Sequence, residues 1–143
     1  SQEIIEYTNK ILNLNYVSAI RKGNNREVLF RTENNNLLEL LSKDISWLQE
    51  EGMSTCIITK TDEEAEELYN ILNRKYSYIT LLNANMIEFD KRLLIVPAYI
   101  AKGLEFDSTI IYTNPDNKYK ESEKYLFYVA CTRSQHQLII YNQ

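Results

Sequence analysis

The segment Thr55-Cys56-Ile57-Ile58-Thr59 has no charged side chain and no apolar-polar alternation, and it runs directly into a helix-forming stretch that opens at Thr61 or Asp62. A strand solvated on one face alternates, whereas one that is uniformly apolar is covered on both faces, as in a parallel sheet. Parallel neighbours need long crossovers, usually helical, so this one segment commits the chain to alternating strands and helices with right-handed connections. Residues 78–82, 93–96, 109–112 and 137–141 supply further strand candidates, and residues 122–133 a helix between the last two. The predicted class is therefore α/β, a mostly parallel central sheet sandwiched between helical layers.

Before that strand the patterning is mixed. Ile4, Ile5, Ile11 and Leu12 sit near helical spacing over residues 3–14. Residues 16–20 and 27–31 flank the polar turn Lys22-Gly23-Asn24-Asn25 and predict an edge hairpin. Asn34-Asn35-Asn36 offers N-caps for a helix carrying Leu37, Leu38, Leu41, Ile45 and Leu48, which Gly52 terminates. After Thr61 and Asp62, the carboxylates Glu63, Glu64, Glu66 and Glu67 suit the positive end of a helix whose Leu68, Ile71 and Leu72 face inward.

The 143 residues fit one domain spanning 1–143, with 44% hydrophobic and 25% charged residues, as in soluble globular proteins. No apolar run approaches the ~20 residues that span a bilayer, and Ser1 to Glu6 lacks a basic region followed by an apolar one, so a cytoplasmic protein without membrane contact is expected. Cys56 and Cys131 lie in apolar stretches and read as reduced core thiols. With a single histidine, His136, there is no soft-ligand set for zinc, and no metal site is expected in the chain. A net charge of -4 argues against a basic nucleic-acid coat, although Arg21, Lys22 and Arg26, or Lys118, Lys120 and Lys124, form local clusters.

Two short segments carry chemistry. Lys102-Gly103-Leu104-Glu105-Phe106-Asp107 lies between two apolar strands. Loops past the carboxyl ends of parallel strands form ligand crevices, which would place Lys102, Gly103 and Glu105 in one. There a glycine permits close backbone approach and a carboxylate accepts from ribose hydroxyls; the alternative is a plain loop with a surface ion pair. The second segment, Tyr128-Val129-Ala130-Cys131-Thr132-Arg133, ends a helix with eight consecutive uncharged residues, Tyr125 to Thr132. Arg133 either favours the helix dipole or projects its planar fork toward phosphate oxygens.

Together, in this order and separation, the two segments resemble those of the second RecA-like motor domain (2A) of UvrD/Rep-type superfamily 1 DNA helicases. The resemblance is strong over residues 93–142 and looser before them, where Ser1 to Asn9 is similar to the stretch just past that family's Tyr-Arg-Ser motif. It implies a RecA-like three-layer sandwich and, at its junction with an N-terminal RecA-like domain, bound ATP with Mg2+ held by that other domain. It further implies that Arg133 is an arginine finger on the γ-phosphate, that Glu105 holds the ribose, that Gly103 and Lys102 lie beside the nucleotide, and that Thr132 places the arginine. The sequence itself has no P-loop: its glycines, Gly23, Gly52 and Gly103, fit no Gly-x4-Gly-Lys-Ser/Thr spacing. The polypeptide alone is accordingly expected to hydrolyse no ATP.

The chain departs from the family in two places. Only about twenty-five residues separate the helix near 62–74 from Lys102, so the large accessory domain is absent or reduced to a remnant. Where the family carries Thr and His on a stretch touching single-stranded DNA, this chain has Pro97-Ala98-Tyr99-Ile100. Tyr99 is the candidate to stack on a base, with Lys102 nearby, or else packs inward. Pro97-x-Tyr99 and Ile20-Arg21-Lys22-Gly23 are more similar to the HelD branch, which implies an alternative partner, bacterial RNA polymerase, remodelled by an ATP-driven motor.

Overall fold

The computed structural model describes residues 27–33, 38–86 and 88–143. Along the chain run β1 (Glu27–Arg31), α1 (Glu39–Glu50), β2 (Thr55–Thr59), α2 (Asp62–Leu72), β3 (Thr80–Leu81), β4 (Leu93–Pro97), β5 (Phe106–Tyr112), α3 (Lys124–Cys131) and β6 (Ser134–Tyr141). Single 3-10 turns at Ala98–Ile100 and Glu121–Glu123 precede β5 and α3. The strands form one sheet in the order β1-β6-β5-β2-β4-β3, and every described pair is parallel. β2 lies between β4 and β5 with all five residues buried, as its unbroken apolar run requires.

Because side chains alternate across a strand, each strand feeds two cores. On one face α1 and α2 set Leu41, Ile45, Leu48, Leu68 and Leu72 against Ile57, Ile95, Ile110 and Ile139. On the other, α3 sets Phe127, Ala130 and Cys131 against Ile58, Val96, Ile111 and Ile140. The result is the three-layer α/β sandwich predicted. Cys56 and Cys131 are buried and form no disulfide, and burial pushes the Cys56 thiol up.

Several local expectations change. β1 pairs in parallel with β6, from Glu27↔Gln137 to Arg31↔Tyr141, because its side chains feed helices on both faces. It stands at the end of the described sheet; the predicted hairpin partner, 16–20, lies outside the described residues, as do the helix at 3–14 and the cluster Arg21, Lys22 and Arg26. Asn34 to Asn36 also lie outside, and α1 starts after Leu38 in a left-handed conformation (φ 50°). Its exposed amides are met by Glu33, whose carboxylate accepts from Leu40 N (2.6 Å) and Leu41 N (3.4 Å) and adds charge at the favourable end. Gly52 ends α1 with φ 75°, and Thr61 caps α2 by accepting from Glu64 N at 3.1 Å, both as the sequence implies.

Two buried tyrosines make stability pH-dependent. Tyr141 is fully buried with its hydroxyl on Asp44, and Tyr119 packs on Phe127 at 5.2 Å between ring centroids. Burial pushes both phenols well above their ordinary range. With folded pKa values raised, the contribution is intact below the unfolded value of ~10 and is lost progressively from there as pH rises toward and through the folded values. Each phenol adds a slope of up to about 1.4 kcal/mol per pH unit. Urea midpoints are therefore expected to fall steeply above pH ~10, and Tyr119→Phe to flatten the fall; an unchanged midpoint between neutral pH and that range contradicts it. Tyr119→Phe costs little near neutrality, since the Tyr119 hydroxyl meets no partner among the described residues.

Candidate nucleotide-contact site

In a parallel sheet all strands begin at one edge. Glu105 immediately precedes β5 and Arg133 immediately precedes β6, and the first residues of those strands, Phe106 and Ser134, are register partners. Phe106 N donates to Arg133 O at 3.0 Å, so one backbone hydrogen bond ties the two motifs together. The site thus lies at the amino edge of the sheet and not in the carboxyl-edge crevice that the general rule suggests. The chain leaving β4 turns at Ala98–Ile100 and again at Lys102 and Gly103, delivering the polar residues to the opposite edge. Gly103 takes φ 87°, a conformation that an L side chain adopts only with strain. Lys102 is exposed on this turn.

The acidic cleft at the carboxyl edge is unsuited to phosphate. Its volume is about 430 Å³, and it is lined by Glu33, Glu64, Glu67 and Asp116, with no lysine or arginine among its lining residues. Lys118, Lys120 and Lys124 are all exposed; Lys124 lies 3.5 Å from Glu121, and Lys60 ties the neighbouring loop down through Asn117, the Lys118 carbonyl and Glu123.

Arg133 is partly buried and held by neutral acceptors. Its Nε donates to Val129 O (3.0 Å), Nη2 to Thr132 Oγ1 (2.8 Å) and Nη1 to Leu104 O (3.4 Å), while Thr132 Oγ1 donates to Val129 O (2.8 Å). The helix-end reading of the arginine is seen directly, since the guanidinium satisfies a last-turn carbonyl of α3. No carboxylate lies within 4.0 Å of it among the described residues. Three of the roughly five guanidinium N–H groups are used, and the rest remain to donate.

Glu105 is exposed and accepts from Gln135 Nε2 at 3.0 Å. Sequence reasoning missed Gln135, and it missed the role of Asp107, whose carboxylate takes both the amide (2.9 Å) and the hydroxyl (3.1 Å) of Ser54 and so anchors the start of β5 to β2. The polar run Ser134-Gln135-His136-Gln137 ahead of an apolar strand was the available signal.

Tyr99 stands apart, just past the carboxyl end of β4. It does not pack inward: 58% of its surface is exposed, and its hydroxyl donates to Asp62 at 3.0–3.1 Å, a contact that raises its pKa. Among the described residues no three His, Cys, Asp or Glu side chains gather as a metal site would require. No described helix is long and apolar enough to cross a membrane.

The chain has counterparts among known proteins. Among solved structures, that of the C-terminal domain of a possible DNA helicase from Lactobacillus plantarum WCFS1 is similar, with a TM-score of 0.67 and 28% identity, covering 81% of this chain and 72% of that one. No curated protein matches the chain. The model of the UvrD-like helicase C-terminal domain matches residues 2–143, essentially the whole sequence, and the chain belongs to that family.

Proposed function

We propose that this domain is the C-terminal motor half of an ATP-dependent superfamily 1 DNA helicase or translocase, completing from one side an ATP site whose phosphate cradle and Mg2+ belong to a preceding RecA-like domain. The observation that carries this reading is Arg133: a guanidinium tied by backbone to the Glu105 strand, aimed by neutral acceptors and unpaired with any carboxylate among the described residues. Such a group stabilises charge that develops on the transferred phosphoryl oxygens, which is what an arginine finger supplies. Glu105 accepts from the ribose hydroxyls, the Gly103 turn and Lys102 flank the nucleotide, and Thr132 holds the arginine fork. Closure of the two domains around ATP and reopening after hydrolysis change the grip on a single strand of DNA, with Tyr99 a stacking contact on the opposite edge.

A second reading, a module of a HelD-like ATPase acting on RNA polymerase, draws on Pro97 closing β4 and the exposed Tyr99 two residues later. Strand displacement by the full-length protein favours the first; ATP-dependent release of polymerase without displacement favours the second. For both, the domain alone is expected to show no ATP turnover, while the full-length protein hydrolyses ATP. Turnover by the purified domain that Arg133→Ala abolishes contradicts the shared-site reading.

A further inference from the structure

With the nucleotide motifs at the amino edge, the crevice at the carboxyl edge is left without an occupant. The chain leaving β2 crosses by α2 to β3 over one face, and the chain leaving β5 crosses by α3 to β6 over the other, in the opposite direction along the sheet. Because β2 and β5 are neighbours, their connections part above their carboxyl ends, which is the topological switch point where open α/β sheets bind ligands. The cleft of about 430 Å³ lies there, lined by Thr59 at the end of β2 and Tyr112 at the end of β5, and its volume suits a binding pocket. Its walls are built in advance. Asn117, in the loop after β5, donates to Glu64 Oε2 on α2 at 3.2 Å and accepts from Lys60 Nζ at 3.0 Å. The chemistry inside is one-sided: among the described residues none of Glu33, Glu64, Glu67 and Asp116 has an ion-pair partner, and Glu64 Oε1 meets no hydrogen-bond donor. Beside these carboxylates lie the buried Leu68 and, 46% exposed, the large apolar side chain of Ile71.

We propose that this cleft docks a basic segment of a protein partner, with an arginine or lysine head meeting Glu67 and Asp116 and its stem, together with an adjacent apolar side chain, covering Ile71. Long basic side chains join an apolar stem to a charged head, and the lining presents the complement of both. A concave wall carrying charge of one sign focuses the potential and draws in a partner of the other. Charge complementarity also sets the class of partner. A phosphate backbone would meet four carboxylates and no lining cation. The site stands at the edge of the sheet opposite Arg133 and Glu105, so it is independent of the shared ATP site.

The test pans a phage-displayed library of random peptides against the full-length protein. The affinities of the enriched peptides are then measured by fluorescence anisotropy for wild type, for the double variant Glu67→Gln/Asp116→Asn and for Ile71→Ser. All three side chains are exposed, so these changes spare the fold, which thermal melts check. Enriched sequences are expected to set Arg or Lys beside an apolar residue. They should bind the double variant about threefold to tenfold more weakly, with the difference shrinking at high salt, and Ile71→Ser about threefold more weakly. Enrichment without basic residues, or equal binding to wild type and the double variant, overturns the proposal. Loss of single-stranded oligonucleotide binding in the double variant also overturns it, because that result assigns the cleft to nucleic acid.

Discussion

Arg133→Ala in the full-length protein is expected to lower kcat for ATP hydrolysis by about 10³–10⁵, with KM for ATP changed far less. The split follows from the proposed role: a guanidinium that meets charge largest in the transition state lowers the barrier more than it strengthens ground-state binding. Arg133→Lys is expected to recover little. An ammonium is a point charge on a flexible stem, and it cannot keep the contacts to Val129 O, Thr132 Oγ1 and Leu104 O while also offering a planar fork outward. The fold should survive both changes, since the lost hydrogen bonds sit at a helix end and contribute only about 1 kcal/mol each. Single-turnover rates with matched thermal melts decide it; a kcat within tenfold of wild type in a folded Arg133→Ala protein removes the finger.

The parallel sheet was legible because β2, β4 and the heart of β5 are apolar on both faces, a pattern that few environments other than a doubly covered sheet accept. Strand ends were less so. β5 starts at Phe106, three residues before the apolar run, because the Asp107 carboxylate accepts hydrogen bonds from Ser54, far away in sequence. β6 starts at Ser134 because a bulge lets two consecutive polar residues stay outside. The two motifs lie side by side in the sheet, since Phe106 and Ser134 pair. Their edge of the sheet was not legible, because the turns after β4 that carry them across are set by packing against α3. Tyr99 was expected inward as the alternative to stacking, and it is exposed, held by an acceptor on α2 that no local pattern reveals.

The largest stability effect is expected at a residue that apolar periodicity passed over. Asp44 lies on the buried stripe of α1 with Leu41, Ile45 and Leu48, a position where an acid in an amphipathic helix signals a specific partner. Its side chain is 8% exposed and takes hydrogen bonds from Arg31 on β1 (Nε, 3.2 Å; Nη2, 3.4 Å) and from the Tyr141 hydroxyl on β6. Asp44→Ala strands a guanidinium and a fully buried phenol at once. Breaking a buried charge pair costs about 3–5 kcal/mol, and the 30% exposure of Arg31 moves the expectation toward the lower figure. Asp44→Asn keeps an acceptor for Tyr141 and loses the charge, so it should cost less. Tyr141→Phe should cost only about 1 kcal/mol, because Asp44 retains Arg31. Urea titrations of the four-protein cycle with Asp44→Ala and Tyr141→Phe should be non-additive, the double variant costing less than the sum, since the orphaned phenol is gone. Strict additivity would mean that Asp44 holds Arg31 alone and that the anchor between α1 and the end of β6 contributes nothing.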